Sequence, residues 1–330
     1  MKFLIIQTAF IGDVVLATAI VEKLHNHYPS SSIDFLLRKG NETLLYDHPY
    51  VEKVLIFDKK NHKYRNLRFM IRFIREQKYD YVINVQRFFT TGLITALSGA
   101  KHTIGFDKNP LSYLFSQRVK HEISAHGDGT HEVARNLKLI EKLTDTTFFK
   151  PKLYPTLEDF KKVSGTKDYV CIAPASVWFT KQLPAHKWIE LINGLPEDLT
   201  IILLGAKGDF DLCEDIKSSI VNRQSSIQNL AGKLTFLQSA ALMKNAKMNY
   251  VNDSAPLHFA SAMNAPVTAF FCSTIPAFGF GPLSDDSQIA EIDYKLYCRP
   301  CGLHGYDKCP EGHFKCSEIN VTRNINLIKS

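Results

Sequence analysis

Three short stretches carry residues whose types and spacing could do chemistry. In Ile11-Gly12-Asp13 a carboxylate stands where a β-rich run gives way to a helical pattern. Gly12 permits a tight strand-to-helix turn, which leaves Asp13 at or near a helix N-terminus, where the helix dipole favours an anion. Capping alone accounts for such an aspartate. Aimed into a cleft, the same carboxylate would be a general base toward an acceptor hydroxyl. A second stretch, Ala173-Pro174-Ala175-Ser176-Val177-Trp178-Phe179-Thr180-Lys181, leaves another strand candidate and leads to a helix opened near Pro184. Small residues let backbone approach a ligand, and Thr180 and Lys181 offer a hydroxyl and a cation suited to phosphate. The plain alternative is a loop with a solvated lysine. In the third, Asn252-Asp253-Ser254-Ala255-Pro256-Leu257-His258, a buried strand ends in polar residues just ahead of a helix. The N–H groups of that helix start, with the Ser254 hydroxyl, suit an anionic diphosphate. The alternatives are capping by Asp253 and Ser254 and a structural role for His258.

The elements that must position these residues alternate in type. Strand candidates in the first half are Lys2–Gln7, Ile33–Leu37, Lys53–Phe57, Tyr79–Val85 and His102–Phe106; Val14–His27, Arg65–Gln77, Thr91–Leu97 and His131–Leu143 read as helices. The pattern lapses between Lys150 and Asp168, around Pro151, Pro155 and Gly165, as a linker would. It then restarts with strands at Tyr169–Ala173, Thr200–Leu204, Met248–Asn252 and Val267–Phe271. Helical patterns follow at Ala185–Asn193, Phe210–Val221, Thr235–Lys244 and Pro256–Met263. Such alternation predicts an α/β protein of two domains, residues 1–155 and 168–330, each built on a parallel sheet. Ligands of such sheets bind beyond the carboxyl ends of the strands. The G-x-G-x-x-G fingerprint is absent after the first strand candidate, which weighs against a dinucleotide oxidoreductase.

Several fragments together are more specific than any one. Gly12-Asp13, Thr180-Lys181 ahead of Pro184 and Trp188, Asn229-Leu230-Ala231-Gly232-Lys233, Asn252-Asp253-Ser254 with His258, and the loop from Thr274-Ile275-Pro276 to Gly281-Pro282 resemble glycosyltransferase family 9, the heptosyltransferases of lipopolysaccharide core assembly. The resemblance covers nearly the whole chain and is strongest after residue 170. It implies a GT-B fold of two facing Rossmann-like domains, an inverting reaction that needs no cofactor or catalytic metal, and ADP-heptose as nucleotide-sugar donor. Asp13 matches the family's proposed catalytic aspartate. Thr180 and Lys181 match its phosphate-contacting pair, with Lys181 also stabilising the leaving group. Asp253, Ser254 and His258 match its nucleotide loop, and Gly205 and Asp209 lie where it recognises the nucleoside. Ala255 stands where the family usually has glycine, which matters if that backbone needs positive φ. His131, Arg135 and Asn136 resemble a further family segment that would reach the acceptor from the N-terminal domain; an exposed helix start is the ordinary alternative. Two other readings compete: a sugar-nucleotide 2-epimerase, and an inactive nucleotide-sugar binder, for which Ala255 is the best support.

Charge points to the acceptor. Between Lys59 and Lys78 lie eight basic residues and one acid, so this segment alone accounts for the chain's net charge of +7. Arg65, Arg68, Arg72 and Arg75 fall along one side of a helical pattern, with Leu67, Met70, Ile71 and Ile74 along the other. A solvated face would look like this, yet the near absence of compensating acid favours an anionic glycolipid acceptor or inner-leaflet headgroups. No recognition motif supports nucleic acid. No apolar run reaches the ~18 residues needed to span a bilayer, and the apolar stretch after Lys2 is too short for a signal-peptide core. The expectation is a cytoplasmic protein held peripherally at the inner membrane.

Cys171, Cys213 and Cys272 are scattered among apolar residues and read as core. Cys298, Cys301, Cys309 and Cys316 cluster near His304 and His313. Four thiols at this spacing suit a structural zinc or an iron–sulfur cluster; reduced, packed thiols are the alternative. Val321–Lys329 reads as a helix returning to the first domain.

Overall fold

The computed structural model describes residues 1–123 and 127–325. β1 (Lys2–Ile6), β2 (Ser32–Arg38), β3 (Lys53–Phe57), β4 (Tyr81–Asn84), β5 (His102–Phe106) and β6 (Gln117–Val119) form one sheet in the order β3-β2-β1-β4-β5-β6. All its neighbouring strands are parallel. The crossovers that parallel strands require contain α1 (Ile11–His27), α2 (Lys63–Glu76) and α3 (Phe89–Ala96), and α4 (Glu132–Lys138) packs on α1. Phe3, Leu4, Ile5 and Ile6 are all fully buried, as in a strand covered on both faces.

A second sheet follows α5 (Leu157–Lys162). It comprises β7 (Tyr169–Ala173), β8 (Thr200–Leu203), β9 (Ile227–Asn229), β10 (Asn249–Asn252), β11 (Val267–Phe270) and β12 (Ser287–Ala290), in the order β12-β11-β10-β7-β8-β9. Here too every pair is parallel. The intervening helices are α6 (Ala185–Gly194), α7 (Phe210–Ser218), α8 (Phe236–Asn245) and α9 (Ala255–Met263). Its core centres on Trp188, which meets Phe270 edge-on at 5.2 Å and donates its indole N–H to Leu183 O at 3.0 Å. Cys171, Cys213 and Cys272 are buried here, and burial pushes the Cys213 thiol up to about 12.

In each sheet the strand order therefore reverses between the first and fourth strands, β1 and β4 in one and β7 and β10 in the other. At such a switch point the connections leave the sheet on opposite sides and open a crevice. Met1–Ile123 and Glu132–Tyr154 make up the first compact unit, and the remaining described residues the second.

Differences from the sequence expectation are local. The stretch read as a linker holds α5, started by Thr156, whose hydroxyl accepts from Asp159 N while the Asp159 carboxylate accepts from Thr156 N. That reciprocal cap sits inside an otherwise unpatterned stretch. The helix expected over His131–Leu143 ends at Lys138. Of the segment read as a C-terminal helix, the described residues form a 3-10 turn at Thr322–Asn324, and Val321 and Ile325 pack on the second unit's own core; residues 326–329 lie outside the described residues.

Candidate active site

Asp13 is the third residue of α1, just past the carboxyl end of β1. Its Oδ2 accepts from Phe10 N at 3.2 Å, so the capping expectation is met, and the side chain remains half-exposed. The switch point beside it is polar. Thr8 Oγ1 donates to Gln86 Oε1 at 2.9 Å, bridging the ends of β1 and β4, and Lys59 Nζ donates to Thr8 O at 2.8 Å. The Arg38 guanidinium lies 5.0 Å over the Phe10 ring. Burial lowers the Lys59 pKa, and the neighbouring Arg38 and Lys63 charges lower it further. Sequence reasoning counted Lys59 only as charge and missed Arg38. Both become visible once β2 and β3 are known to lie on one side of β1, in the order β3-β2-β1.

In the second unit the β7 and β10 loops meet at the corresponding point. Lys181 Nζ lies 2.7 Å from Asp253 Oδ2, with side chains 15% and 6% exposed. Thr274 Oγ1 donates to the same oxygen at 2.6 Å. Asn252 ties the loops together, accepting from Leu183 N at 2.9 Å and donating to Pro174 O at 2.8 Å. An ammonium with one carboxylate partner, next to the first turn of a helix, can hold and polarise a phosphate oxygen.

Thr180, expected to contact phosphate, is buried. Its hydroxyl oxygen accepts from Tyr306 N at 2.8 Å and from Ser273 Oγ at 3.0 Å. Here it supports the loop rather than presenting a hydroxyl outward. Ser254 occupies the N-cap position of α9, yet its side chain makes no capping bond and is half-buried. Ala255 begins α9 and is not among the residues with positive φ, so no glycine is needed there for backbone reasons. His258 is buried, and its Nδ1 has no hydrogen-bond partner. Burial lowers its pKa to about 3 against the opposing pull of Asp253, with His131 and Lys181 lowering it further. The imidazole is therefore neutral near pH 7.

Two acceptor assignments are corrected. His131 belongs to the second unit, where its Nε2 lies 3.0 Å from Gly281 O and Gly129 N donates to Ala277 O at 3.1 Å. Gly127 makes that docking possible, because a Cβ there would come within 2.3 Å of Ala277 O. Arg135 is only 3% exposed and donates to Glu122 O at 3.0 Å and to Glu132 Oε2 at 3.2 Å. It braces its own loop and is not presented to an acceptor. Beyond β8, Asp209 Oδ2 accepts from Ala206 N at 2.7 Å, and a Cβ on Gly205 would sit 2.8 Å from Asp209 Cβ. This turn thus depends on glycine for close approach.

The helix expected to carry the basic stripe is α2. Arg65, Arg68, Arg72 and Arg75 are exposed, while Leu67, Met70 and Ile74 are buried. Phe69 and Tyr64 are also exposed on this helix. A depression of about 500 Å³ lined by Arg68, Ile71, Arg72, Arg75, Glu76 and Leu97 opens toward the end of α3. From Arg65 to Arg75 the stripe runs ~15 Å along the helix, away from the strand ends that carry Asp13.

The thiols of Cys298, Cys301, Cys309 and Cys316 are all free. Cys298 Sγ lies 3.9 Å from His313 Nε2, and burial, with the neighbouring thiols, pushes Cys316 up to about 12. Among the described residues no three His, Cys, Asp or Glu side chains stand close enough to share a metal ion. Nor, among them, is any helix long and apolar enough to cross a membrane.

Two Rossmann-like units with a carboxylate at one switch point and a lysine–aspartate pair at the other define a transferase architecture of the GT-B class. The profile of glycosyltransferase family 9 (heptosyltransferase) matches residues 67–304, more than half of the chain, and the protein belongs to that family. Lipopolysaccharide heptosyltransferase 3 of Escherichia coli K12 is 28% identical over 282 residues, covering 81% of each chain. The structure of E. coli ADP-heptose lps heptosyltransferase II superposes with a TM-score of 0.77 at 20% identity, covering 99% of this chain and 100% of the other. E. coli heptosyltransferase WaaC with ADP gives a TM-score of 0.72 at 19% identity over 88% of this chain and 92% of that one.

Proposed function

We propose that this enzyme transfers heptose from ADP-heptose to a lipopolysaccharide core or lipid A-type glycolipid, with inversion and without a catalytic metal. The observation that carries this reading is the Lys181–Asp253–Thr274 cluster, set beside the start of α9 at the β7/β10 switch point. Its relatives' names supply the sugar, and a neighbour that bears ADP supports the nucleotide. As the anomeric C–O bond breaks, negative charge gathers on the departing diphosphate. Lys181, the Ser254 hydroxyl and the N–H groups opening α9 stabilise it. Asp13 takes the proton of the attacking acceptor hydroxyl, which approaches the opposite face of the sugar. Neutral His258 and, from the docked segment, His131 border the donor side. Incubation with ADP-heptose and a truncated core glycolipid should release ADP and add one heptose to the lipid, read by mass spectrometry. A free epimerised sugar, or binding without turnover, would overturn the assignment.

The basic face of α2 is the contact with the anionic lipid surface on the cytoplasmic side of the inner membrane. Each arginine near such a surface contributes about 1 kcal/mol. Changing Arg68, Arg72 and Arg75 together to Gln should weaken binding to phosphatidylglycerol vesicles about a hundredfold. The KM for the lipid acceptor should rise and that for the donor stay unchanged. Equal effects on both substrates would remove α2 from acceptor contact.

A further inference from the structure

The segment after β12 contains, among its described residues, no regular element beyond two 3-10 turns. It is nevertheless bonded closely to the loops that carry Lys181 and Asp253. Cys301 N donates to Ser273 O at 2.8 Å, and Thr180 N donates to Tyr306 O at 3.1 Å. Tyr306 N in turn donates to Thr180 Oγ1 at 2.8 Å. The Arg299 side chain is 12% exposed and pairs with Glu291. It donates to Cys272 O at 2.6 Å, Phe271 O at 3.0 Å and Thr274 O at 2.7 Å. A guanidinium can hold three carbonyls because its donors form a planar fork, which an ammonium does not. The carbonyls it gathers belong to the loop whose Thr274 hydroxyl holds Asp253. Gly305 approaches from the other side with φ +76°, and a Cβ on it would lie 2.9 Å from both Lys181 Cγ and Thr180 Oγ1.

We infer that Arg299–Tyr306 is a brace that sets the Lys181–Asp253 pair in register for the donor's diphosphate, with Arg299 and Gly305 as positioning residues; this rests on the donor reading above. Arg299 acts through Thr274 on Asp253, and Gly305 with Tyr306 acts through Thr180 on Lys181. The pair is held from both sides, and a displacement of about 1 Å at a site of this kind is felt strongly. This gives the cysteine-rich segment a task that requires no metal at its thiols.

Gly305→Ala tests the brace directly, because its new methyl group must move Lys181 or Thr180. ADP binding by titration calorimetry should weaken about tenfold, with a raised donor KM and a lowered kcat. Gly312→Ala is the control. Gly312 has a similar φ of +73° but no atom within 4 Å of the added carbon, so it introduces comparable strain without contact and should bind ADP as wild type does. Arg299→Lys keeps the charge opposite Glu291 while losing the fork and should weaken ADP in the same direction. If Gly305→Ala is folded and binds ADP normally, or if Gly312→Ala loses as much, the brace is wrong. Lys181→Met in the same titration separates the two levels. Loss there with normal binding by Gly305→Ala removes the brace alone. A wild-type protein that binds no ADP removes the donor reading and the brace with it.

Discussion

Asp13→Asn is expected to lower kcat by about 10²–10⁴ while ADP binding changes by less than about twofold. The substitution is informative because of where Asp13 sits. Its Oδ2 accepts from Phe10 N at the start of α1, and the amide oxygen of asparagine can accept the same bond. Losing the negative charge near the helix N-terminus costs only about 0.3–1 kcal/mol of stability. Loss of the general base would raise the barrier by roughly 3–5 kcal/mol. The two roles thus separate by magnitude: a capping aspartate leaves turnover almost untouched, whereas a catalytic one leaves the fold almost untouched. Steady-state kinetics, ADP titration and a thermal melt on the same preparation distinguish them. A variant that melts normally and turns over within about threefold of wild type would leave Asp13 as a cap only.

If Lys181 has the proposed role of stabilising charge that grows on the leaving diphosphate, Lys181→Met should lower kcat/KM by about 10²–10³. It should also destabilise the second unit. Lys181 is the cation paired with Asp253, a carboxylate only 6% exposed that would keep just the Thr274 hydroxyl as a known partner. Breaking a buried pair by removing one member costs several kcal/mol, since the remaining charge is left uncompensated. The double variant Lys181→Met/Asp253→Asn removes that charge and should recover much of the lost melting temperature. On the proposed mechanism it should not recover transfer, because the cation assigned to the diphosphate is still missing. Recovery of both would mean that Lys181 acts on stability alone.

Much of the architecture was legible because the pattern is local. β-rich apolar runs separated by helical periodicity predict parallel sheets, and nine strands were placed within two residues at either end. The amphipathic face of α2 was equally readable, since Leu67, Met70 and Ile74 recur at helical spacing. The three missed strands, β6, β9 and β12, are only three or four residues long and lie at sheet edges. Edge strands bury less, and so carry little periodic signal. Site residues divide in the same way. Asp13, Lys181, Asp253 and Ser254 could be proposed from the sequence because each follows a readable strand. Thr274 stood out only as part of a motif, without a role, and Arg299 and Tyr306 did not stand out at all, because all three act through partners distant in sequence.

The amino-acid sequence by itself determined nine of the strands and the helices between most of them, that Asp13 opens α1, and that one face of α2 is cationic. These follow from side-chain period, capping chemistry and charge, all of which act over a few residues. Only the tertiary structure decided that Thr180 is buried beneath Tyr306, that Arg135 is occupied by its own loop, that His131 docks on the second unit, and that Lys181 pairs with Asp253. Such choices depend on which strand ends the crossovers bring together and on which carbonyls and hydroxyls are then left needing partners. Neither is set by neighbours along the chain.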